Sequence, residues 1–72
     1  MKLVYKHLKF YQGASGIWWV NNKCGENLGT VDWFVPWRQW VFNPSAGAIF
    51  SVSCMADIIH FIGQLVPLVS RA

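Results

Sequence analysis

Trp33-Phe34-Val35-Pro36-Trp37-Arg38-Gln39-Trp40-Val41-Phe42-Asn43-Pro44 sets five large aromatics around one arginine and splits them with a proline. The aromatic and β-branched residues on either side of Pro36 read as two strands, residues 28–35 and 37–43. Proline cannot donate to a ladder, so Pro36 forces a bulge, bend or tight connection between them. Working outward, Ile17-Trp18-Trp19-Val20-Asn21 is a preceding strand, and residues 22–27 form the turn after it, with Gly25 free to take positive φ. Residues 2–11 alternate imperfectly as a first strand, followed by the loop Gly13-Ala14-Ser15-Gly16. Strand after strand with short turns is an antiparallel meander.

Beyond Pro44-Ser45-Ala46-Gly47 the period changes. Ser51 or Ser53 starts a helix with Asp57 near its first turn. Met55, Ile58, Ile59, Ile62, Leu65 and Val66 follow a helical stripe, which Pro67 stops. The predicted fold is therefore α+β: a small antiparallel meander of three or four strands with one C-terminal amphipathic helix on one face, in a single domain of residues 1–72. One helix covers only one sheet face. In residues 37–42, Trp37 and Val41 alternate one way and Arg38, Trp40 and Phe42 the other, so an aromatic face is expected to stay uncovered.

Composition bounds the function. With 54% apolar and 12% charged residues in 72, the chain is not disordered, and it has more apolar surface than a monomer of this size hides. Homo-oligomerisation is the expectation. A net charge of +3, with Lys2, Lys6 and Lys9 near the start, favours acidic partners but is too small for phosphate neutralisation along duplex DNA. The stretch 46–68 is apolar enough to raise the question of a membrane, but Asp57, His60 and Gln64 recur at three- and four-residue steps and mark a polar helix face. An amphipathic helix lying in a membrane interface is the outside alternative.

Cys24 and Cys54 have neither paired-cysteine spacing nor a secretory leader before them, which predicts reduced thiols and a cytoplasmic setting. Their spacing with His7 and His60 matches no usual zinc ligand set, so no metal is expected. Asp57 and His60 share a helix face but have no placed nucleophile, Ser51 and Ser53 serve as caps, and no phosphate-loop or zinc-protease motif occurs. These readings predict a non-enzymatic protein without a cofactor.

The run from Trp33 to Pro44, preceded by Leu28-Gly29 and followed by Ile49-Phe50-Ser51, Cys54, Ile58-Ile59 and Phe61-Ile62, resembles a pattern in small phage and prophage proteins of uncharacterised function. The resemblance covers residues 17–66. Trp40 stands where the pattern favours tyrosine, so no hydroxyl role carries over. The resemblance implies a phage accessory protein in a host cell and supplies no catalytic residue.

Arg38 is the residue to single out, because a guanidinium can stack on one ring and still present its fork to a phosphate or carboxylate. Adjacency sends Trp18 and Trp19 to opposite faces, one to core and one to contact. The candidate binding set is Arg38, Trp40, Trp37, Trp33 and Trp18. The leading expectation is sequestration of a small nucleotide-like anion, such as a host defence signal, between aromatics and Arg38. A protein-interaction inhibitor docking its Trp-rich face on a host protein is the alternative, and single-stranded nucleic-acid binding is a third.

Overall fold

A computed structural model describes residues 1–69, the last three as backbone only. Four strands, β1 (Leu8–Gln12), β2 (Trp18–Asn22), β3 (Asn27–Phe34) and β4 (Gln39–Pro44), pair antiparallel in the order of the chain, and helix α1 (Val52–Val69) follows. The α+β meander with a single C-terminal helix is as the sequence predicts.

Register assigns the faces. Phe10 pairs with Val20 and Val20 with Gly29; Trp18 pairs with Val31 and Val31 with Phe42; Trp33 pairs with Trp40. These rows form the inner face, which α1 covers with Ile58, Phe61 and Leu65. The Phe61 ring stacks on Phe10 at 4.0 Å and 8°, and meets Trp18 edge-on at 5.1 Å. No charged side chain is buried among the described residues, so apolar burial and ring packing are the main forces that hold the core.

The helix uses the sequence differently from expectation. Ile58 and Leu65 are buried and Ile62 is half-buried, but Met55, Ile59 and Val66 face outward, and Phe61 fills the centre of the core. Residues 54, 58, 61 and 65 make the inner stripe. A segment apolar on most of its circumference offers two stripes, and the periodic pattern alone did not say which one the sheet takes. Ser51 caps the helix, its Oγ accepting the Cys54 N–H at 3.2 Å; Asp57 lies beyond the first turn. The backbone stays helical two residues past Pro67, which lacks its own N–H for the ladder but whose fixed φ is compatible with the helix.

The first predicted strand is also shorter. Residues 1–7 form an arm that folds back over β1: the Tyr5 N–H donates to the Leu8 carbonyl at 2.8 Å and the Phe10 N–H to the Leu3 carbonyl at 2.9 Å. Burial of Tyr5 holds the arm down. The arm then meets the polar residues of α1. The Lys2 N–H donates to Gln64 Oε1 at 2.7 Å, and Gln64 Nε2 donates to the Lys2 carbonyl at 2.9 Å. What reads as a solvated helix face is a seam.

Pro36 produces a tight connection. Val35–Trp37 form one 3₁₀ turn and Arg38 closes it in the left-handed conformation, φ 52° and ψ 48°, with its N–H donating to the Val35 carbonyl at 3.1 Å. The predicted alternation therefore fails at two residues. Trp37 and Arg38 belong to the turn and not to β4, and Trp40 and Phe42 point inward against the core. The outer face carries Tyr11, Trp19, Thr30, Asp32, Val41 and Asn43, in which Asn43 Nδ2 donates to Asp32 Oδ1 at 3.0 Å.

Candidate functional site

The β3–β4 turn concentrates exposed aromatic surface. Phe34 ends β3 opposite Gln39, and its ring meets Trp37 edge-to-face at 4.9 Å and 78°, so the two rings brace each other across the turn. Val35 is 70% and Trp37 66% exposed, with Arg38 exposed beside them. Behind the turn, Trp33 sits edge-on to Trp40 at 5.8 Å and 76°. Pairing of the flanking strands and the fixed φ of Pro36 hold the group in one geometry. It forms a tip whose apolar rings and single fork of donors face solvent.

Of the five residues expected in the site, the turn brings Trp37 and Arg38 together and places Trp33 at its base. Trp40 lies below, packed half-buried against the core, and Trp18 is in the next inner row beside Phe61, where its ring is spent on core packing. Phe34 and Val35 belong to the tip and were not singled out. Their signal was the proline itself, because a turn at Pro36 throws its neighbours outward. Trp19 and Tyr11 also escaped the candidate set. They pair across β2 and β1 on the outer face, where with Asn21 and Asn27 they line an open depression of about 390 Å³.

A left-handed conformation costs a residue with a Cβ about 1–2 kcal/mol, and glycine far less. Arg38 occupies such a position with its side chain free of any ion pair among the described residues. Arg38→Gly is expected to raise stability by about 1 kcal/mol, read as a higher midpoint in urea; a lower midpoint would show that the arginine side chain supports the turn.

Trp40 Nε1 is buried with no acceptor among the described residues. Removing an unpaired buried donor offsets part of the cost of a smaller ring. Trp40→Phe is accordingly expected to lie within about 1 kcal/mol of the parent chain in chemical denaturation, against about 3 kcal/mol or more for Trp40→Ala.

Tyr5, under the arm, joins the seam to α1. Gln64 Nε2 donates to its hydroxyl oxygen at 3.3 Å, and the hydroxyl shares a second hydrogen bond with His60 Nδ1 at 2.7 Å, its direction set by the imidazole tautomer. Burial and, secondarily, the Asp57 carboxylate push the Tyr5 phenol above its ordinary 10.0. The folded state then holds the proton more tightly than the unfolded chain, so this group's contribution to stability is fully present below the unfolded value and is lost as pH rises through it towards the folded one. Tyr5→Phe is expected to remove that alkaline decline and to cost about 1 kcal/mol at neutral pH, measured by urea titrations at several pH values.

Elsewhere, His7, Leu8, Asn22, Leu28, Ile49, Ser51 and Cys54 line an open groove of about 420 Å³. Cys24 is exposed in the β2–β3 turn, where its N–H donates to Asn22 Oδ1 at 2.9 Å, and both cysteines are free thiols. No group of three or more His, Cys, Asp or Glu that would hold a metal ion occurs among the described residues. No helix of the described residues is long and apolar enough to cross a membrane. Comparison with protein-family models, with curated proteins and with solved structures gave no match.

Proposed function

We propose that the chain is a binding protein that inserts the β3–β4 tip into a recess on a protein partner, with Trp37 and Val35 as the apolar plug and Arg38 as the anchor to a carboxylate at the rim. The observation that carries this reading is the exposure of Phe34, Val35 and Trp37 on a braced turn. A ligand-sequestering site needs walls, whereas the tip stands exposed, and the depression beside Trp19 and the groove beside Cys54, of about 390 and 420 Å³, are lined by other residues. Tryptophan and arginine are the side chains that most often dominate binding energy at the centre of a protein interface. Interference with a host protein in a phage setting is the form this function takes if the family resemblance holds.

The test pairs stability with binding on one variant. Trp37→Ala removes a ring that is mostly exposed, so its melting temperature is expected to stay close to that of the parent chain. Capture of the partner from the cells in which the protein is expressed should weaken by about 2 kcal/mol or more in affinity. Arg38→Lys, which keeps the charge but not the planar fork, should weaken it by about 1–3 kcal/mol. Undiminished capture by Trp37→Ala would overturn the reading. Thermal stabilisation of the parent chain by added nucleotides, lost in Trp37→Ala, would replace it with anion sequestration on the same tip.

A further inference from the structure

The outward side of α1 carries a second apolar stripe that the sheet leaves uncovered. Val52, Met55, Ile59, Ile62 and Val66 recur at steps of three, four, three and four residues, the spacing of a seam that meets another helix. Val52 is 79% and Ile59 70% exposed, Met55 and Val66 are nearly half exposed, and only Ile62 also touches the core. Beside the stripe lie Ala56 and Gly63, both exposed, and a Cβ added at Gly63 would meet nothing within 4 Å. The helix carries no lysine or arginine and a single carboxylate, Asp57, which lies on the opposite side of the helix from Ile59.

The order of these residues suits a copy of itself. About a two-fold axis through Ile59, an antiparallel partner helix brings Val52 opposite Val66, Ile59 opposite Ile59, Met55 opposite Gly63 and Ile62 opposite Ala56. Met55 and Ile62 then each face a small residue while Val52 meets Val66 and Ile59 meets its own copy, and the pattern is self-complementary, as a closed two-fold interface requires. A specific interface needs on the order of 1,000 Å² in total, and Val52, Met55, Ile59 and Val66 with the flanking Ala56 and Gly63 are the exposed surface that each copy's helix offers towards it. An interfacial membrane helix, by contrast, depends on lysine and arginine along its polar face, which this helix lacks.

We infer that the protein forms a two-fold homodimer through the outer faces of antiparallel α1 helices, with Ile59 on the axis. This contact is separate from the β3–β4 turn, so each dimer displays two tips, and it stands whether or not the tips bind a protein.

Sedimentation equilibrium on the parent chain should return twice the 8.2 kDa chain mass at tens of micromolar. Ile59→Glu places a carboxylate against its own copy and should return the single chain mass with the circular dichroism spectrum unchanged. Gly63→Met should also dissociate the dimer, because it fills the space that the partner's Met55 needs. Met55→Gly combined with Gly63→Met exchanges large and small residues across the interface and should restore it. A monomeric parent chain, a dimer unaffected by Ile59→Glu, or failure of the exchange to restore association would each overturn the proposal. So would a monomer that sediments with anionic lipid vesicles in an Ile59-dependent way, which would assign the stripe to a membrane surface.

Discussion

Phe61→Ala is expected to remove about half or more of the chain's stability at room temperature. The ring is fully buried, stacked on Phe10 and edge-on to Trp18, and it joins α1 to β1 and β2. Truncating such a ring costs about 3–5 kcal/mol, through lost burial and the cavity left behind. A domain of this length commonly has about 4–10 kcal/mol in all, and no disulfide links its two free thiols to make up the loss. The check is the near-ultraviolet circular dichroism of the tryptophans, with Phe61→Leu as the control that keeps most of the apolar volume and should remain folded. A Phe61→Ala chain with the parent's denaturation midpoint would show that the helix is not held through this residue.

Gly29→Ala is expected to be nearly as damaging with one methyl group. Gly29 is buried in β3 at φ +152°, a conformation that side-chain-bearing residues rarely adopt. A Cβ there would approach the Asn43 carbonyl oxygen and come within 2.8 Å of the Phe42 ring. The carbonyl belongs to β4 and cannot move aside without breaking the pairing of Thr30 with Asn43. Strain and clash together should cost about 3 kcal/mol or more, read as a lower urea midpoint with the slope unchanged. Gly47→Ala is the contrasting variant. It also has positive φ, +79°, but open space around the added methyl, so it should cost about 1 kcal/mol. Equal losses at the two positions would mean that backbone conformation, and not the approach of β4, sets the cost at Gly29.

Much of the architecture is legible in the sequence because its signals are local. Aromatic and β-branched runs, the turn residues between them and the cap at Ser51 each depend on a few neighbouring positions. The opposite destinations of Trp18 and Trp19 follow from strand geometry alone. What the sequence did not disclose depends on choices between local alternatives. Nothing in residues 35–38 signals that the left-handed position would fall on Arg38, although that choice takes Trp37 and Arg38 out of the strand and turns Trp40 and Phe42 inward. In α1, the stripes at residues 54, 58, 61 and 65 and at 52, 55, 59, 62 and 66 are equally periodic, and only packing against Phe10 and Trp18 decides between them. The candidate site was accordingly half visible. The aromatic run marked where contact residues cluster, but assigning each ring to core or surface required the turn.

The seam between the arm and α1 has a kinetic consequence. All pairings within the meander join neighbouring segments, whereas the hydrogen bonds from Lys2 and Tyr5 to the helix close separations of 62 and 55 residues. Closing a long loop costs more chain entropy than closing a short one, so the sheet can assemble while these contacts are still absent. The arm is then the last part to dock and the first to lift away. In hydrogen exchange, the amides of Tyr5 and Phe10, which bond within the arm and its partner strand, should open at lower free energy than those between β2 and β3. A chain that loosens first at this edge exposes the inner face of β1 before its central strands separate.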